Sequence, residues 1–137
     1  MPVLFALLVL VLFGFIIFKL SPSKEKKWLV PKVDFPAEWR KVLNNDISYY
    51  GSLNDAEKIR FEYKVQEFLL NCKVTGVRTE ITDYDRILVA ASAVIPIFGF
   101  DDWQYHNLKE VLLYPTMFNH SFETEGNDRR IMGMVGN

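Results

Sequence analysis

Cysteine occurs once in this 137-residue chain, at Cys72, and histidine twice, at His106 and His120. A single thiol excludes an intrachain disulfide and a thiolate metal cluster, and it fits a reducing compartment. Neither histidine has a glutamate next to it or a second histidine four residues on, so the chain holds no H-E-x-x-H and no other compact metal-ligand spacing. Each lies in a polar connection and reads as a solvent-facing or locally hydrogen-bonded side chain, with a metal shared by the two as the remote alternative. No serine stands in a nucleophile-elbow pattern, and Gly133 to Gly136 is without the lysine of a phosphate loop. Asp101 and Asp102 are adjacent acids, and neighbours in a loop point apart into solvent. The residues themselves therefore predict no catalytic, cofactor-binding or metal-ligating set.

An excess of positive charge is missing as well. Setting aside Lys19, Lys24, Glu25, Lys26, Lys27 and Lys32 leaves 11 basic against 16 acidic residues from position 33 onward. Such a domain has no electrostatic footprint for nucleic acid. The chain also has no internal repeats and no low-complexity tracts.

What the chain does have begins with Met1 to Phe18, eighteen residues without a charge. That length is at the lower limit for a bilayer core of about 30 Å, and Leu20 extends it. A cleaved secretory signal needs a basic leading region and a small-residue cleavage site, and both are absent. Residues 1–20 are thus expected to be a transmembrane anchor in contact with the lipid bilayer. No basic residue precedes the segment and four lysines follow within nine residues of its end. The positive-inside rule then predicts a single-pass membrane protein with its domain on the cytoplasmic side. Residues 21–33 read as a basic juxtamembrane linker kept extended by Pro22 and Pro31.

Residues 34–137 read as one domain, about the usual size for an independent core. Pro36 suits the first turn of a helix. Trp39, Val42, Leu43, Ile47 and Tyr50 then share one face. Asn54 and Glu57 have capping-box spacing, and Phe61, Val65, Phe68, Leu69 and Cys72 form a second stripe. Lys58, Glu62, Lys64 and Glu67 are expected to face water. These two elements predict an antiparallel helical pair, with Cys72 a packed core residue. Lys73 to Ile81 reads as a weak strand or extended connection. Thr82 starts a helix with Asp83 and Asp85 in its first turn. From Ile87 to Ile95 only Ser92 is polar, which predicts a helix buried on every side and closed by Pro96 and Gly99. Val111 to Tyr114 reads as a strand hidden on both faces, and Phe118 to Asn137 as a hairpin around the turn-rich residues 123–128. The fold class expected is α+β: an N-terminal transmembrane helix, a helical pair, a buried central helix and a small, mainly antiparallel sheet. The final apolar, glycine-punctuated residues suggest a domain cut short.

Taken in order, several of these features resemble a known family. They are Phe35-Pro36-x-x-Trp39 opening a helix, a capped helix running into Phe68-Leu69-x-x-x-Lys73, and a Gly76-Val77 turn before Thr82-Asp83. The alanine-rich helix into Ile95-Pro96, a tryptophan-bearing loop, and Val111-x-x-Tyr114-Pro115 with Phe118 complete the set. From about residue 34 the chain resembles the N-terminal part of the Mlc titration factor A family of zinc metallopeptidases, also called glucose-regulated metallopeptidases. The resemblance implies part of a zincin-like scaffold, and a metal-binding H-E-x-x-H helix that follows the region resembled here. Zinc is accordingly expected for the complete protein and not for this chain, which should be inactive alone. The function implied is that of an N-terminal fragment of a membrane-anchored zinc peptidase, a hydrolase of peptide or protein substrates, supplying scaffold and cleft wall. The alternative is a non-enzymatic, membrane-tethered module that binds a transcriptional regulator protein, as the family's namesake does.

Overall fold

Asn54 and Thr82 start the two helices on which this structure is built. The computed structural model describes residues 11, 13, 27–117, 121, 123, 125, 126 and 130–133. Helix α1 spans Ala37–Asp46 and helix α2 Ser48–Ser52, separated at Ile47 by one extended residue, so the first amphipathic run folds as two pieces. Helix α3 spans Asp55–Asn71. The predicted capping box forms: Glu57 N donates to Asn54 Oδ1 at 2.9 Å and Asn54 N to Glu57 Oε2 at 3.0 Å. Strand β1 (Lys73–Gly76) follows at once, then helix α4 (Asp83–Val94) under a second box between Thr82 and Asp85. A 3₁₀ turn at Ile95–Ile97 and strand β2 (Glu110–Leu113) complete the described elements.

The core lies between α3 and α4. Phe61, Val65 and Phe68 from α3 meet Ile87, Ala90, Ala91 and Val94 from α4, with Leu43, Tyr50 and Phe98 closing the ends. Ala90 and Ala91 are completely buried, and their small side chains let the two helices pack closely. Cys72 is buried in the same cluster, as expected. The alanine-rich helix is central as expected, packing on α1 as well as on α3, but it is not buried on every side. On α4, Ser92 is exposed and Leu88, Val89, Ala93 and Ile95 are only half-buried. On α3, Glu62, Lys64, Gln66 and Glu67 are buried with the apolar stripe. Three of these polar groups find partners: Glu62 takes Arg40 and Tyr50, Lys64 the carbonyl of Asp101, and Glu67 the amide of Gln104. Charged residues enter an interior when each has such a partner, and periodicity does not register partners from distant elements.

The sheet is parallel, against the mainly antiparallel arrangement expected. Its two described strands pair as Lys73 with Glu110, Val74 with Val111, Thr75 with Leu112 and Gly76 with Leu113. The cause is the connection: α4 lies between the strands, and a helical crossover returns the chain in the same direction. Nor is β2 hidden on both faces. Val74 and Val111 face inward, and Val111 packs on the core. The opposite face carries Lys73 and Glu110, 3.8 Å apart as an ion pair, and a half-exposed Leu112.

Gly76 ends β1 in a turn with no room for a side chain. A Cβ built there would stand 2.1 Å from the backbone oxygen of Thr79, and Arg78, two residues on, adopts a positive φ of 56°. Backbone oxygen cannot yield as a side-chain tip can. Gly76→Ala is expected to cost roughly 1–3 kcal/mol, read as a lower urea midpoint at unchanged slope. A midpoint equal to that of the native chain would contradict this account of the turn.

The expected membrane anchor is corrected too. Among the described residues no helix is long and apolar enough to cross a membrane, and the single-pass, cytoplasm-facing placement that rested on it falls with it. A run of apolar letters gives only the composition of a span, whereas crossing requires a continuous helix of that composition. Of residues 1–20 only Val11 and Phe13 are described, both in helical conformation; the rest of that segment lies outside the described residues. The hairpin expected over Phe118 to Asn137 falls mostly outside them as well, with Gly126 in a turn at φ 99°.

Candidate functional site

The residues that could carry chemistry are scattered rather than gathered. His106 is exposed, with its ring edge-on to Trp28 at 5.3 Å between centroids. His120 lies outside the described residues, so no shared site with His106 can be drawn. Asp101 and Asp102 are both exposed, and Asp101 is taken by Arg60 at 2.7 Å instead of sharing a proton with its neighbour. Gly133 is described and the three residues after it are not. Among the described residues no group of three or more His, Cys, Asp or Glu side chains could hold a metal ion.

Among the described residues a groove of about 460 Å³ runs along α3, bounded by Arg60, Tyr63, Lys64 and Glu67 on the helix and by Asp101, Asp102 and Gln104 on the facing loop. The sequence places these groups locally. Positions 60, 63, 64 and 67 follow helical spacing on one face, and the stop at Pro96 and Gly99 turns the chain back over them. Arg60 fixes the loop twice, by its ion pair with Asp101 and by donating to the carbonyl of Phe98 at 2.7 Å. Its guanidinium also lies 4.2 Å from the centre of the Phe98 ring. Lys64 Nζ donates to the Asp101 carbonyl at 3.1 Å, and Gln104 donates to Glu67 Oε1 at 3.3 Å. Trp103 and Phe100 stand exposed on that loop. The groove can bind a polar segment by hydrogen bonds of both senses; it contains no nucleophile–base pair and no paired acid and base.

Sequence reasoning missed one polar cluster. Arg40 donates from Nε and Nη2 to the two oxygens of Glu62 at 2.7 and 2.8 Å, and Tyr50 donates its hydroxyl to Glu62 Oε1 at 2.5 Å. Burial alone pushes Glu62 upward, but the hydrogen bonds from Arg40 and Tyr50 outweigh it and hold the carboxyl below its ordinary value. Burial, with the Glu62 carboxylate beside it, pushes the Tyr50 phenol up to about 12. Arg40 and Tyr50 both spend their bonds on the Glu62 carboxylate, which marks a structural lock and not a reacting centre. The available signal was weak: an arginine on one amphipathic helix and a glutamate next to Phe61 at the edge of the apolar stripe of the next.

Comparison with known proteins adds what this geometry leaves open. The family model described as glucose-regulated metallo-peptidase matches residues 21–136. An uncharacterised protein of Synechocystis sp. is 27% identical over 84 residues, which cover 61% of this chain and 30% of that relative. The chain thus aligns with under a third of that relative's length. No solved structure matches.

Proposed function

This chain belongs to the glucose-regulated metallopeptidase family, and we propose that its residues supply the N-terminal scaffold and one wall of the substrate cleft of a zinc-dependent peptidase. A zinc peptidase needs three protein ligands, an open coordination position and a carboxylate to take a proton from water. The described residues do not fit that requirement, so no catalytic step is assigned to them. The observation that carries the reading is the family match over residues 21–136 in a sequence with no H-E-x-x-H. The sheet supports it. Parallel sheets are as a rule covered on both faces, whereas this two-stranded one has the Lys73, Thr75, Glu110 and Leu112 face turned outward. A surface of that kind suits a sheet that other parts of a polypeptide extend and cover.

The test is to sequence the native transcript beyond codon 137. An in-frame H-E-x-x-H within a few dozen codons is the expected result, and an immediate stop codon overturns the proposal. A second reading, a protein-binding module that titrates a regulator, is favoured by the exposed Phe100 and Trp103 beside the groove. An immediate stop together with a well-folded product would select it.

A further inference from the structure

The segment Trp28-Leu29 is held against the end of α3 in an unusual way. The side-chain amide of Asn71 brackets the backbone of Leu29, accepting from its N–H at 2.8 Å and donating to its carbonyl at 2.7 Å. A third bond, from Asn71 Nδ2 to the Glu67 carbonyl at 2.8 Å, fixes the orientation of the amide. This is the pairing a neighbouring strand would give, supplied by one side chain, and it reads backbone rather than sequence. Leu29 itself is exposed.

Trp28 fills the space next to this bracket. Its ring lines a cavity of about 10 Å³ together with Phe68, Val94, Ile97 and Tyr105, and that cavity shares Lys64, Glu67 and Gln104 with the 460 Å³ groove. The indole Nε1 is buried without a hydrogen-bond partner. A buried donor left unpaired disfavours the docked state, and nothing in the pocket reads the one polar atom of this side chain. Trp28 is therefore accepted for its flat apolar body, and Leu29 for its backbone. Neither property is specific to this chain's own segment.

We propose that the pocket beside Asn71 is a docking site for an extended peptide carrying a tryptophan followed by any residue with a free N–H. Here the chain's own Trp28-Leu29 segment occupies it as an exchangeable clasp. Release of the clasp joins the cavity to the groove, giving an apolar floor under a mouth lined by Lys64, Glu67 and Gln104. A peptide of the same chemistry on another protein then takes the place of Trp28 and continues along the groove.

The experiment uses the full chain and a fluorescein-labelled synthetic peptide of the sequence from Glu25 to Val33, followed by fluorescence anisotropy. A site filled by its own clasp nine-tenths of the time binds the peptide about tenfold more weakly than an open one. The Trp28→Ala chain should therefore bind at least about tenfold more tightly than the native chain. Adding Asn71→Ala to that host, or placing alanine for tryptophan in the peptide, should abolish binding. Equal affinity for the native and Trp28→Ala chains, or no binding to a folded Trp28→Ala chain, overturns the proposal. Leu29→Pro removes the N–H that Asn71 receives while leaving every core side chain in place, and it serves as the host if circular dichroism shows Trp28→Ala unfolded. The same ordering is expected with it, and the same equality overturns it. A concentration-dependent dimer of the native chain that added peptide does not dissociate would place the clasp on a second copy and also sink the proposal.

Discussion

Phe61→Ala is expected to lower the unfolding free energy by about 3–5 kcal/mol, the range for removing a fully buried phenylalanine. Phe61 has no exposed surface. It is the junction of an aromatic cluster, with ring centroids 5.4 Å from Phe98, 5.7 Å from Tyr50 and 6.0 Å from Tyr49. Those contacts tie three separate parts of the chain: α2, α3 and the turn after α4. The neighbours cannot collapse into the space, because Tyr50 is anchored by its hydroxyl to Glu62 and Phe98 lies under the Arg60 guanidinium. The cavity term is therefore expected at full size. Ile59→Ala on the same helix is the control: Ile59 is 69% exposed, and surface changes of that kind fall within roughly 0.5 kcal/mol. Urea unfolding of both variants decides the matter. Equal midpoints for the two would show that Phe61 is not the junction of the core.

That contrast also shows what was legible in the sequence. The helix starts were, because capping is local chemistry: Asn54 with Glu57 and Thr82 with Asp85 lie three residues apart and form the bonds their spacing implies. The stop at Pro96 and the core stripe of Phe61, Val65 and Phe68 were legible for the same reason. What depends on partners far along the chain was not. Glu62 and Lys64 read as solvated until Arg40, Tyr50 and the Asp101 carbonyl came to meet them from elements 12 to 37 residues away. The parallel sense of β1 and β2 follows from α4 passing between them, which a local reading of two short apolar runs does not see. Apolar composition likewise overstated the burial of α4, since Leu88 and Val89 find only partial cover. The absence of a compact metal motif was plain from spacing alone, and the family from an ordered set of individually weak signals. The groove was invisible, because it is made by one helix face and a loop folded back over it.

Arg40→Ala is expected to destabilise the chain by about 2–3 kcal/mol, through the partner it leaves behind. Glu62 has only 7% of its side chain exposed, and without the guanidinium it would keep one hydrogen bond, from Tyr50. Breaking a fully buried pair costs about 3–5 kcal/mol. The figure is lower here because the Arg40 side chain is 46% exposed, and water screens and partly replaces it. The loss should be non-additive: Glu62→Gln removes the stranded charge, so the double variant should lose well under the sum of the two single losses. Strict additivity would show that the two groups do not act as a pair. The pH profile gives an independent reading. Glu62 is held below its ordinary value of 4.5 in the folded chain, so the native state releases that proton more readily than the unfolded one. Its contribution is fully present above pH 4.5 and is lost as pH falls through the lowered folded value. Tyr50 behaves in the opposite direction. Its phenol is raised from 10.0 to about 12, so the native state holds the proton more tightly, and stability declines as pH rises across that interval. Glu62→Gln should flatten the acid limb, and Tyr50→Phe the alkaline one. An acid limb unchanged in Glu62→Gln would assign the acid sensitivity to other carboxylates and remove this cluster's claim to it.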